Sequence, residues 1–146
     1  MVDCIHYKSG YKYQLKKTVT LSTRIRPDEE VTIDGFVRLG VDGTLEIRNG
    51  YAWDGPSGPT IDTRNFMRGS LVHDALYQLM READLDKATW RKTADEELVR
   101  FCGLDGMSRV RRWWVLKAVR RFADLAASPA SRKPISRAPH GCIDTR

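Results

Sequence analysis

Apolar and polar residues alternate with a period of two over the first third of the chain. From Lys17 to Arg26, Val19, Leu21 and Ile25 fall on one side, while Thr18, Thr20, Ser22 and Arg24 fall on the other. Val31, Ile33, Val37 and Leu39 keep the period, and Asp42-Gly43 is a hairpin turn into Leu45 and Ile47. Side chains that alternate in this way suit a sheet with one buried face. The pattern predicts a meander of three to five antiparallel strands over residues 11–53.

The period changes at WDGPSGPTIDTRN, where clustered glycine and proline exclude regular structure. Beyond it the apolar spacing becomes helical. One helix is predicted from about Phe66 to Arg81, and a second from about Lys87 to Cys102 with Asp86 as its cap. A third follows the breaks at Gly103 and Gly106, from about Ser108 to Ala127. Its inward stripe is expected to be Met107, Val110, Trp114, Ala118, Phe122 and Leu125. Residues 128–146 hold three prolines and few large apolar groups, and read as a flexible basic tail. The whole predicts a single α+β domain over residues 1–127: an antiparallel meander, a Gly/Pro-rich loop and three helices.

Composition narrows the class. A chain of 146 residues with 41% hydrophobic and 30% charged content suits one globular domain. No apolar run approaches the ~18 residues that span a bilayer, and MVDCIHYKSG has no signal-peptide core. Export by a signal peptide is therefore not expected. Cys4, Cys102 and Cys142 are odd in number and far apart, so free thiols are expected rather than a disulfide or zinc framework. The net charge of +6 is concentrated in residues 109–121, which hold six basic side chains and no acid. An anionic partner follows from that segment, with lipid headgroups ahead of nucleic acid. Its blandest reading makes Trp114 core, Trp113 half-buried and the arginines a solvated face.

The chemistry is concentrated in SLVHDALY. Ser70, His73, Asp74 and Tyr77 lie three and four residues apart and share a helix face. On the second helix, Asp95 follows Ala94 and precedes Leu98 and Val99 at helical spacing, which puts a carboxylate on or beside the buried face. An antiparallel pairing of the two helices would bring Asp95 to His73. A carboxylate bound to one ring nitrogen leaves the other free to act as a general base on water. Asp74 leaves the helix about 100° further round. It suits a hard cation that would also take oxygens from Asp54, Asp62 and loop carbonyls, as calcium does. The competing account makes His73, Asp95 and Tyr77 a polar clamp between helices, and Asp54, Ser57 and Asp62 turn residues.

WDGPSGP at 53–59, HDALY at 73–77 and Ala94-Asp95 together resemble a small domain of unknown function found in phages and prophages. That resemblance covers residues 11–125 and implies a phage setting, in which other phage proteins are possible partners. GSLVHDALY at 69–77 is more distantly similar to the His-Asp helix of calcium-dependent secreted phospholipases. It implies that His73 activates water, Asp95 orients His73, Asp74 binds calcium, and Gly55 and Gly58 belong to the metal loop. Tyr77 completes the catalytic group. Gly69, Ser70 and Leu76 stand where that family has half-cystines. The expected function is a phage-associated, metal-assisted hydrolase of ester or phosphoester bonds. The alternative is a virion, tail or host-interaction protein in which the same network is structural.

Overall fold

The alternating segment becomes a four-stranded antiparallel sheet in the order β3-β6-β5-β4. The structure is a computed structural model, and it describes residues 5–7, 11–54, 63–127 and 134–143. The strands are β1 (Ile5–Tyr7), β2 (Tyr13–Gln14), β3 (Val19–Ser22), β4 (Val31–Ile33), β5 (Val37–Leu39), β6 (Thr44–Ile47) and β7 (Ala52–Trp53). Helices α1 (Arg64–Glu82), α2 (Lys87–Leu104) and α3 (Arg109–Ala127) follow, and β8 (Ser136–Ala138) comes last. The class is α+β, as the periodicity predicts.

Register follows the burial pattern. Val37 faces Ile47 and Leu39 faces Leu45 on the buried side, while Arg38 faces Glu46 on the solvent side. The turn into β6 needs glycine at 43. Its φ is +88°, and a Cβ there would lie 2.4 Å from the Thr23 carbonyl oxygen. Asp42 closes the turn by accepting the Thr44 backbone N–H at 2.9 Å.

Helix α1 is the centre of the molecule. Val72, Ala75, Leu76 and Leu79 pack with Ile25, Leu39, Leu45 and Ile47 of the sheet in one apolar core. Burying each of the valine, leucine and isoleucine side chains stabilises by roughly 1.5–3 kcal/mol. Phe66 joins Leu98, Cys102, Met107 and Val115 in a second cluster between the helices. Helix α2 starts where Asp86 caps it, accepting the Thr89 N–H at 3.0 Å. Gly69 lets α1 and α2 approach closely, since a Cβ there would lie 2.7 Å from Cys102 Sγ and 2.8 Å from the Leu98 carbonyl oxygen. That approach, one turn before His73, sets the distance from His73 to Asp95.

Three expectations fail. Residues 136–138, placed in a flexible tail, form β8 and pair antiparallel with β1, Ile5 opposite Ala138. Edge pairing uses backbone groups, to which a composition-based reading is blind. Cys142, four residues past β8, is disulfide-bonded rather than a free thiol. Cys102 is free and buried, its thiol pushed up to about 11 mainly by burial. Finally, the inward stripe of α3 is rotated. Val110 is 79% exposed, Trp113 61% and Trp114 49%, while Val115 is 2% exposed. The inward positions are shared with arginine stems. Arg111 donates to Thr63 Oγ1 at 3.0 Å and lies over the Phe66 ring. Arg112 packs against Gly103, where a Cβ would meet it.

Candidate functional site

Asp95, fully buried on α2, is the hub of a network that joins all three helices. His73 Nε2 lies 2.8 Å from its Oδ1. The Tyr77 hydroxyl donates to the same oxygen. Arg120 of α3 donates to Oδ2 at 2.8 Å. His73 and Tyr77 are one turn apart on α1, so their rings meet with centroids 4.1 Å apart and both reach one carboxylate. The antiparallel α1–α2 pairing supplies the rest, with Leu85 buried in the short connection.

The charges follow from these contacts. Burial is the largest single influence on Asp95 and opposes its ionisation, but His73, Tyr77 and Arg120 together hold its carboxyl below the usual range. Burial is likewise the largest influence on His73 and disfavours its charge. The negative charge of nearby Asp74 and the hydrogen bond and charge of Asp95 prevail, and its pKa is raised above 6.5. Burial, then the bond to Asp95, pushes the Tyr77 phenol up. Tyr77 therefore stays a neutral donor to Asp95, and it is 2% exposed.

The second ring nitrogen has different surroundings. His73 Nδ1 lies 3.9 Å from Asp74 Oδ1, too far for a hydrogen bond. The His73 side chain is 12% exposed and that of Asp74 31%. Asp74 lines a hollow of about 40 Å³ together with Asp54, Tyr51, Arg81 and Glu82. The Tyr51 hydroxyl donates to Gln78 Oε1 at 2.8 Å, and Gln78 Nε2 donates to Glu82 at 2.6 Å. Burial and the charge of Asp74 push the Tyr51 phenol well up.

The expected metal residues are thus partly assembled. Asp54 and Asp74 come to one hollow of a size for a single cation or water. Gly55, Gly58, Ser57 and Asp62 lie outside the described residues. Among the described residues, no group of three His, Cys, Asp or Glu side chains is arranged to hold a metal. Two carboxylates on an acidic hollow fit a hard cation in chemistry, with further oxygens needed from elsewhere. Ser70 leaves the His73 group, since its hydroxyl donates to the Met67 carbonyl at 2.8 Å and accepts from Trp53 Nε1 at 3.2 Å.

Sequence reasoning missed one member of this network and a second buried carboxylate outside it. Arg120 sits in a run of basic residues that looked like a solvated face, and only the α3 packing turns it toward Asp95. Glu97 is also fully buried on α2. It accepts from Arg100 Nε at 2.9 Å and from the Arg100 guanidinium NH2 at 2.6 Å, and Arg100 in turn donates to the Ser22 carbonyl at 2.9 Å. The signal was present: Glu97 follows Ala94 by three and adjoins Leu98, the same kind of position that pointed to Asp95. Among the described residues no helix is long and apolar enough to cross a membrane. Compared with protein-family profiles, curated proteins and solved structures, the chain finds no match.

Proposed function

We propose that this chain is a phage-associated, metal-assisted hydrolase of ester or phosphoester bonds, with phospholipids among the candidate substrates. The observation that carries the reading is the division of labour at His73. Nε2 is held by a buried carboxylate, while Nδ1 lies 3.9 Å from Asp74, which with Asp54 lines the neighbouring acidic hollow. Asp95 fixes the tautomer with the proton on Nε2, leaving the Nδ1 lone pair to take a proton from water. Tyr77 and Arg120 keep Asp95 ionised and in place. Because Asp74 and Asp95 raise the pKa of His73, the base form gains population as pH rises above 6.5. Asp74 and Asp54 would hold the cation, with calcium as the candidate. A bound calcium ion would polarise a carbonyl or phosphoryl oxygen. The setting proposed is a host cytoplasm or a virion, and the partner anionic, met through residues 109–121.

A second reading makes the protein a virion, tail or host-interaction component in which the network is only structural. The ion pair of Arg120 with fully buried Asp95 favours it, because a permanent cation on that carboxylate competes with His73 for its charge while tying α3 to α2. Assays of wild type and His73→Ala decide between them, using carboxylic esters, phosphodiesters and phospholipids with calcium or with a chelator. The hydrolase reading expects calcium-dependent turnover that falls about 10²–10⁴-fold in the variant, the usual contribution of a general base. Equal turnover by the two proteins, or none by wild type on any of these substrates, overturns it.

A further inference from the structure

Among the described residues, the outward face of α3 gathers three exposed large hydrophobic side chains, Val110, Trp113 and Trp114. Val110, Trp113, Trp114, Lys117 and Arg121 recur at i, i+3, i+4, i+7 and i+11, so they form one stripe, and all five are exposed. Two adjacent tryptophans at 61% and 49% exposure beside a valine at 79% are not the surface a helix presents to water alone. Leu104, at the end of α2, adds a further exposed apolar group at 64%.

We infer that this face of α3 docks on an anionic lipid bilayer, the tryptophans and Val110 entering the interface while the flanking cations meet the headgroups. Charge complementarity supports the choice. The segment 109–121 has no acid, and Arg109, Lys117 and Arg121 border the apolar stripe. Lys117 Nζ lies 5.4 Å from the Trp113 ring centroid, which keeps cation and aromatic on one surface. Indole rings with a polar edge favour the headgroup level, and basic side chains beside them favour anionic leaflets. The distribution of arginines disfavours a phosphate backbone as the partner. Arg111, Arg112 and Arg120 are turned toward Thr63, Gly103 and Asp95, so half the basic residues of the segment do not face outward. What remains outward is richer in apolar surface than phosphate recognition requires.

This inference deepens the anionic-partner part of the proposed function and does not require hydrolysis. The test is co-sedimentation with large unilamellar vesicles of phosphatidylcholine, with and without an equal part of phosphatidylglycerol, and tryptophan emission as a second readout. Wild type is expected to bind the anionic vesicles, with blue-shifted emission, and to release them in high salt. The double variant Trp113→Ala/Trp114→Ala is expected to bind about tenfold more weakly or worse while keeping its helical circular dichroism, because neither ring is in the core. Lys117→Ala is expected to lose about fivefold. His73→Ala is expected to bind like wild type, so failure of the hydrolase reading leaves this outcome intact. The inference is overturned if the double variant binds as well as wild type, or if anionic vesicles bind no better than neutral ones. It is also overturned if the tryptophans are needed instead for duplex DNA binding, or for self-association in the absence of lipid.

Discussion

Helix α2 buries two carboxylates, and the comparison between them separates a clamp from a candidate site. Asp95 and Glu97 are both inaccessible, and they leave the helix on nearly opposite sides, about 200° apart. Glu97 is answered by Arg100 one turn along the same helix, and by the Arg24 backbone N–H at 3.4 Å. Every group there is permanently charged or part of the backbone, and the result ties α2 to the end of β3 through Ser22. Asp95 is answered by groups from two other helices, and one of them is a histidine whose second nitrogen lies 3.9 Å from Asp74, a carboxylate that lines an acidic hollow. A buried charge needs only the first arrangement. The second adds a titratable group, a free nitrogen and a neighbouring pair of carboxylates, which structural satisfaction alone does not call for.

The two networks should therefore break differently. Glu97→Ala leaves Arg100 charged and poorly solvated. It should cost about 3 kcal/mol, the low end for breaking a buried pair, since Arg100 keeps some access to water. Asp95→Ala should cost less, about 1–3 kcal/mol, because His73 can give up its proton and Arg120 is partly exposed. Urea unfolding measures both. Any hydrolytic activity should survive Glu97→Ala per folded molecule and be lost in Asp95→Ala. Loss of activity in both, in proportion to stability, would put the two acids in one structural class.

A smaller effect concerns pH. The pKa of His73 is raised in the folded protein, so its contribution is complete below its unfolded value near 6.5 and is lost as pH rises through the folded value. That of Asp95 is lowered, so its contribution is present above about 3.8 and is lost as pH falls through the folded value. Stability should accordingly decline on the alkaline side of 6.5, while hydrolysis by a neutral His73 should rise over the same interval. His73→Gln should flatten the alkaline decline, and Glu97→Ala should leave it parallel to wild type. Unfolding measured from pH 5 to pH 9 checks the slopes.

The sheet and helices were legible because their burial is periodic. Val37, Leu39, Leu45 and Ile47 alternate, and the Asp42-Gly43 turn has the residues its backbone demands. His73 and Asp95 were legible because a polar residue on an apolar helix face needs a partner, and the antiparallel pairing supplied it. Arg120 was not, because a basic run gives no sign of which member turns inward. Trp113 and Trp114 misled for a related reason. Hydrophobicity marks them for the core, but the long stems of Arg111 and Arg112 cover the inward surface instead. The β1–β8 pairing was hidden because backbone hydrogen bonds leave no mark on side-chain composition.

What distinguishes Asp95 from Glu97 is in the end the acidic hollow beside His73, and calcium binding there tests the difference most directly. Thermal unfolding of wild type, Asp74→Asn and Glu97→Ala, each with and without calcium, is the measurement. A ligand that binds only the folded state stabilises it by about 2.7 kcal/mol at a hundredfold excess over Kd. Calcium should raise the midpoint of wild type and of Glu97→Ala by the same increment, and leave Asp74→Asn unmoved. No shift in wild type, or an equal shift in Asp74→Asn, would contradict the account and leave Asp95 a clamp like its neighbour.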